Sequence, residues 1–140
     1  MKQTALFPVY KQQTIKMTEF QSWQVPAQFA DPADEHHAVR AAAGLFDVGF
    51  LGRIEIAGKG AESLIQSLFT RNVTTLTEGS AKYGLLCNEQ GFILDNVLLF
   101  KLPPTQPGKR FLVTTNAIST EKLRFMYRIY FSTNWATFSG

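Results

Sequence analysis

Gly91–Leu102 reads GFILDNVLLFKL, an apolar run interrupted by an acid and an amide, Asp95 and Asn96. FILDNVLLFKL (92–102), bounded by Gly91 and Pro103–Pro104, is a strand candidate. Asp and Asn are poor strand formers, so their place in mid-strand asks for a local reason. Successive strand residues face opposite sides of a sheet, so only one of the two enters a given pocket. The sequence leaves open which one.

Working outward, KYGLLCN (82–88) precedes this strand across the turn NEQG, and RFLVTTN (110–116) follows it across the exposed loop PPTQPGK. On a sheet of these strands, Tyr83, Asn96, Phe100 and Asn116 line one side. Upstream, RIEIAG (53–58) alternates Ile54 and Ile56 with Glu55, and GKGAESLIQSLFTRN sets Leu64, Ile65, Leu68 and Phe69 on one side of a helix. Downstream, Ser119 caps a helix over STEKLRFMYRIYF, and FSTNWATFSG is the expected closing strand. Strand, helix, three strands, helix is the order of a ferredoxin-like α+β unit with one added hairpin strand, an antiparallel sheet with helices on one face.

Residues 1–30, with Pro8 and Pro26, read as an extended arm packed on a single 1–140 domain. Asp31 can cap a helix with Pro32 in its first turn and Asp34 and Glu35 opposing its dipole. That helix runs through HHAVRAAA and is expected to stop at Gly44, followed by the turn LFDVGFLG. Asp47 lies in that turn, where its carboxylate accepts backbone N–H groups.

Hydrophobic residues make up 45% of the 140 residues and charged residues 18%, which excludes a disordered chain. The net charge is only +3 and the basic residues are scattered, which argues against a nucleic-acid surface. An acidic small molecule remains compatible with that charge. Cys87 is the single cysteine, so no internal disulfide forms and a reducing, cytoplasmic location is expected. Neither a signal-peptide core nor an apolar run of membrane-spanning length is present.

Other motifs carry less. Gly58 and Gly60 have the spacing of a dinucleotide loop, but Ser63 stands where that loop has Gly or Ala, and a tight turn explains the glycines. His36 and His37 are neighbours on a helix and diverge, so no metal site is expected there. Cys87 reads as a small strand residue rather than a nucleophile.

The stretch DEHHAVRAAAGLFDV (34–48) resembles the glycine cleavage T-protein family, tetrahydrofolate-dependent aminomethyltransferases, in which the pattern is close to EEHxAVRxxAGLFDVSHMG. KQTALFPVY and KMTEFQSWQVPAQF are similar to the family's opening TPLY and to KMVxFAGWEMPVQY, and LTEGSAKYGLLCNEQGFILDN to LxxGxAxYxLMCNExGGIxDD. LVTTNA matches VVNA, and the likeness runs to about Glu121. The family's proteins are longer, with a second half and a C-terminal β-domain around a central folate channel. The resemblance implies transfer of a one-carbon unit from an aminomethyl-lipoyl carrier protein to tetrahydrofolate, with release of ammonia.

Carried over position by position, the resemblance makes Tyr83 and Asn116 folate contacts and puts Asp95 at the first acid of the family's pair. Asn96 stands at the second, the catalytic acid. Phe100 replaces a tyrosine and loses its hydroxyl. Gly49, Phe50 and Leu51 replace the Ser-His-Met of VSHMG, with Leu51 a folate-channel position. Gln21 and Ser22 stand where the family has Ala-Gly. The expected activity of this chain alone is therefore weak or absent, with a lipoyl carrier protein, a chain supplying the remaining half, or a second copy as partner. The alternative is a non-catalytic folate-binding or interaction module, akin to the folate-binding iron–sulfur maintenance proteins that share the fold.

Overall fold

The computed structural model describes residues 1–105 and 108–124, together with the backbone of 137–139. Two compact units divide the chain, Met1–Phe50 and Leu51–Gly140.

In the first unit, where an extended arm is expected, the chain makes a small sheet and a helix of its own. Strand β1 (Lys2–Gln3) runs parallel to β3 (Trp23–Gln28), which pairs antiparallel with β2 (Lys16–Phe20). Helix α1 (Phe7–Gln12) starts with Pro8 in its first turn, where the missing N–H costs nothing. Gln21 and Ser22 join β2 to β3 with φ of 50° and 67° between the paired Phe20 and Trp23. That is the mirror-image turn whose twist suits a hairpin, and it is normally built with glycine or asparagine. A side chain in this region costs about 1–2 kcal/mol.

Helix α2 (Pro32–Ala41) begins as the sequence suggests: the Asp31 carboxylate accepts from the Ala33 N–H at 2.9 Å. Glu35 reaches back to accept from the N–H groups of Phe29 at 2.5 Å and Ala30 at 2.7 Å, which fixes the chain entering the helix. Its end differs from expectation. Ala42 is the C-cap, its N–H donating to Ala38 O, and Gly44 lies beyond in a non-helical segment without the left-handed φ of a capping glycine. Glycine suits position 44 for another reason: a Cβ there would press on Val39 and Phe46.

Asp47 does more than shape its turn. It accepts from the Gly49 N–H at 2.9 Å, from the Thr4 hydroxyl at 2.6 Å and from the buried Tyr10 hydroxyl at 2.9 Å. Burial alone would raise its pKa, but the bonds from Thr4, Gly49 and Tyr10 together outweigh that and lower it. Burial, then the bond to Asp47, raises that of Tyr10.

In the second unit, β4 (Gly52–Gly58), β5 (Ala81–Cys87), β6 (Ile93–Leu102) and β7 (Lys109–Thr115) appear within a residue of the sequence assignments. With β8 (Thr137–Ser139) they form one wholly antiparallel sheet in the order β5-β6-β7-β4-β8. The expected closing strand is thus present over Thr137–Ser139; the rest of FSTNWATFSG lies outside the described residues, as does most of the preceding helix. That helix is described over residues 120–124.

One face of the sheet carries Ile54, Ile56, Val97, Leu99, Phe111 and Val113, buried against Leu64 and Ile65 of helix α3 (Ala61–Leu68) and against Leu123. Gly52 lies on this face against the hydroxyls of Thr115 and Thr120. Gly58 (φ 118°) and Gly108 (φ 119°) approach backbone to backbone, and this contact, rather than a nucleotide, accounts for the GKG turn. Both sheet neighbours of β4 among the described residues are antiparallel to it, whereas a dinucleotide loop belongs to a parallel crossover.

Two outcomes are expected. Ser22→Gly relieves the hairpin turn and should stabilise the first unit by about 1 kcal/mol in urea melts; a loss of stability would contradict the turn assignment. Because the folded pKa of Asp47 is lowered, its contribution is present at neutral pH and is lost as pH falls through that folded value. Thermal melts between pH 7 and pH 3 should therefore lose more stability in the native chain than in Asp47→Asn.

Candidate functional site

The two residues that interrupt β6 separate to opposite faces. Asp95 shares the buried row with Val97 and Leu99 and is 5% exposed, whereas Asn96 lies on the exposed face. Three donors converge on the Asp95 carboxylate: Oδ2 accepts from the Asn116 N–H at 2.9 Å, and Oδ1 from Asn116 Nδ2 at 2.6 Å and the Asn96 N–H at 2.9 Å. A buried carboxylate is tolerable only with such partners.

Asn116 follows the last residue of β7, where the chain turns into the helix at 120–124. Thr120 secures that turn, its hydroxyl donating to Asn116 O at 2.9 Å and lying 2.9 Å from the Thr115 hydroxyl. From this position Asn116 Nδ2 also donates to Asn96 Oδ1 at 2.7 Å, and Asn96 Nδ2 donates to the Tyr83 hydroxyl at 2.6 Å. Leu85 pairs with Asn96 and Tyr83 with Leu98, so Tyr83 on β5 shares the face of Asn96. Tyr83 is 57% exposed, so this cluster can be reached from solvent.

The sequence-derived residues therefore fall into two groups. Tyr83, Asn96 and Asn116 form one hydrogen-bonded cluster. Phe100 lies on the same face, but four residues along β6, about 13 Å at the rise of a strand, opposite Ala81 and Leu112. Leu51 precedes the registered pair Gly52–Thr115, at the Asn116 end of the sheet. The floor near the cluster is apolar, with Leu85 and Leu98 half-buried on the exposed side of the sheet.

Sequence reasoning missed the anchoring role of Asp95. The signal was present, since Asp95, Val97, Leu99 and Lys101 continue one alternating row and all four are buried. Lys101 is satisfied by Leu76 O at 2.7 Å and by Glu62 at 3.6 Å. Elsewhere on the exposed face, Arg110 holds Glu55 through two bonds at 2.6 and 2.9 Å, which lower the carboxyl's pKa. Among the described residues, no group of three His, Cys, Asp or Glu is placed to hold a metal, and no helix is long and apolar enough to cross a membrane.

Residues 6–132 match the GCVT N-terminal domain, and the chain belongs to that aminomethyltransferase family. It is similar to an aminomethyltransferase of Anoxybacillus flavithermus, 38% identical over 122 residues that cover 87% of this chain and 32% of that one. It is also similar to the glycine cleavage system aminomethyltransferase T from Bartonella henselae. That crystal structure matches with a TM-score of 0.76 at 27% identity, over 86% of this chain and 33% of that chain. The chain thus spans about a third of the length of these relatives.

The geometry ranks the cluster's residues by structural cost. Asp95→Ala removes the acceptor of three donors and should cost roughly 3 kcal/mol in urea denaturation. Tyr83→Phe, at the exposed end, should cost less than about 1 kcal/mol. Equal losses would contradict the inward-to-outward order of the cluster.

Proposed function

We propose that this chain supplies the folate-facing part of a tetrahydrofolate-dependent aminomethyltransferase site, and that by itself it binds folate rather than turning it over. The observation that carries this proposal is the convergence of Tyr83, Asn96 and Asn116 from three elements on one accessible cluster. The family resemblance assigns these same positions to folate.

The cluster suits such a molecule. A pterin is a bicyclic heterocycle with broad ring faces and a polar edge, and here amide and phenol groups stand beside half-buried leucines. Tyr83, Asn96 and Asn116 would meet the polar edge, and the side chains along the sheet face would meet the ring. Leu51 and Phe100 are the candidates for contacts further from the edge. Bound tetrahydrofolate would supply the nitrogen that accepts the one-carbon unit, with an aminomethyl-lipoyl carrier protein as donor.

Asn96 separates binding from catalysis. A carboxylate at this position would accept hydrogen bonds and stabilise positive charge developing on the folate nitrogen; an amide is neutral and also donates. Losing such a preorganised charge costs about 2.7–4 kcal/mol, a hundred- to a thousandfold in rate. Shape is nearly conserved, so affinity can persist where turnover falls. This neutral position also favours, as a second reading, a purely folate-binding module. In either case the free thiol of Cys87 accords with a cytoplasmic location.

Calorimetric titration of tetrahydrofolate into the chain is the test. Saturable one-site binding, weakened about tenfold by Asn116→Ala, is expected for one lost hydrogen-bonding group. Absence of saturable binding by both the native chain and Asn96→Asp would reject the folate site. With a lipoyl-carrier donor and a chain supplying the remaining two-thirds, Asn96→Asp should raise transfer by roughly a hundredfold or more. An unchanged rate would favour the binding module.

A further inference from the structure

We infer that Asp95 is a positioning residue that fixes the hydrogen-bond polarity of the cluster, so that the Asn96 amide holds its carbonyl toward Asn116 and its NH2 group toward Tyr83, with one N–H left to donate to whatever the cluster binds. The inference rests on the folate proposal only for the identity of the ligand.

The polarity follows by elimination, starting from the buried end. A carboxylate only accepts, so the Asn116 side-chain atom 2.6 Å from Asp95 Oδ1 must be the NH2 nitrogen. That nitrogen carries two hydrogens, and the second is directed at the Asn96 amide 2.7 Å away. The Asn96 atom it meets must be the carbonyl oxygen. The other end of Asn96 is then its NH2 group, which lies 2.6 Å from the Tyr83 oxygen and donates to it. Because the phenolic oxygen is accepting, its own hydrogen is available to solvent or ligand. One fixed charge thus sets the orientation of two amides and a phenol, passing from Asp95 to Asn116, to Asn96 and to Tyr83.

What the cluster offers outward is what these bonds leave over. Asn96 keeps one amide hydrogen and Tyr83 its hydroxyl hydrogen; Asn116 keeps its side-chain carbonyl oxygen. The ligand class is therefore a planar heterocycle edge with an acceptor atom beside Asn96 and Tyr83 and a donor beside Asn116. A protonated or N–H-bearing ligand nitrogen meets the NH2 side of Asn96, because the carbonyl side is turned toward Asn116. Asn96 is a specificity-determining residue in this scheme, and Asp95 acts through it without touching the ligand.

The side-chain amide signals of Asn96 and Asn116 in nitrogen–proton correlation spectra test the order without any ligand. In the native chain, both Asn116 amide hydrogens should exchange with solvent at least about tenfold more slowly than those of free asparagine, as expected for bonded donors. Tyr83→Phe should move the Asn96 pair and leave the Asn116 pair in place. Asp95→Asn should move both pairs, since no rotamer of an amide at 95 accepts from all three donors. An Asn96 pair unmoved in folded Asp95→Asn, or an Asn116 pair that exchanges in the native chain as fast as a free amide, would overturn the inference. If Asp95→Asn does not fold, the native exchange rate decides. Tetrahydrofolate is added last. Ordered amides with no folate binding would reject the folate proposal and leave the polarity standing, whereas folate binding with unordered amides would do the reverse.

Discussion

A carboxylate placed inside an apolar sheet face must find donors, and for Asp95 those donors organise much of the second unit. Its place in the buried row of β6 is forced by strand alternation, with Val97 and Leu99 inward at every second step. The Asn116 backbone and side-chain N–H groups both turn toward it. That contact ties the middle of the sheet to the point where β7 ends and the following helix begins. Thr115 and Thr120 close the same corner beside Gly52, which leaves them room by having no side chain. At the far end of the row, Lys101 is buried for a similar reason and finds Leu76 O and Glu62. A one-residue slip would expose the apolar Val97 and Leu99, so their burial fixes the register, and the two charges in the same row are held by the partners that register provides.

The same carboxylate links fold to function. Asn116 serves Asp95 with one hydrogen and Asn96 with the other, so the buried side of the sheet sets what the exposed side offers. In a family whose pattern carries two adjacent acids, this chain keeps the first, which holds the corner together, and has an amide at the second, which faces solvent. An amide and a carboxylate have nearly the same shape but opposite needs at one atom. Such a change nearly conserves shape and alters charge and hydrogen-bonding capacity at that position.

The strands and helices of the second unit are legible because alternation and turn residues agree: Ile54 and Ile56, the turn residue Asn88, and Gly91 at φ 82° each mark their places. The conflict at Asp95–Asn96 was also visible, but not its resolution, which depends on parity against residues two and four positions away. Position 83 and position 116 were brought to Asn96 by sheet pairing, and Phe100 was left further down the strand by that same spacing. In the first unit, local signals failed where long-range bonds decide. Asp47 reads as a turn residue from its neighbours, yet Thr4 and Tyr10, about forty residues earlier, are its partners. The helix ends at Ala41, ahead of Gly44, and the space a Cβ at Gly44 would need is taken by Val39 and Phe46.

A crystal structure of the chain soaked with tetrahydrofolate, at a resolution that distinguishes amide orientation by its bonding, tests the central claim most directly. The account predicts a pterin edge against Tyr83, Asn96 and Asn116, with an acceptor atom on the Asn96 nitrogen and Asp95 still holding Asn116. Folate seated away from these three side chains, or an Asn96 carbonyl turned outward to meet a ligand donor, would contradict it.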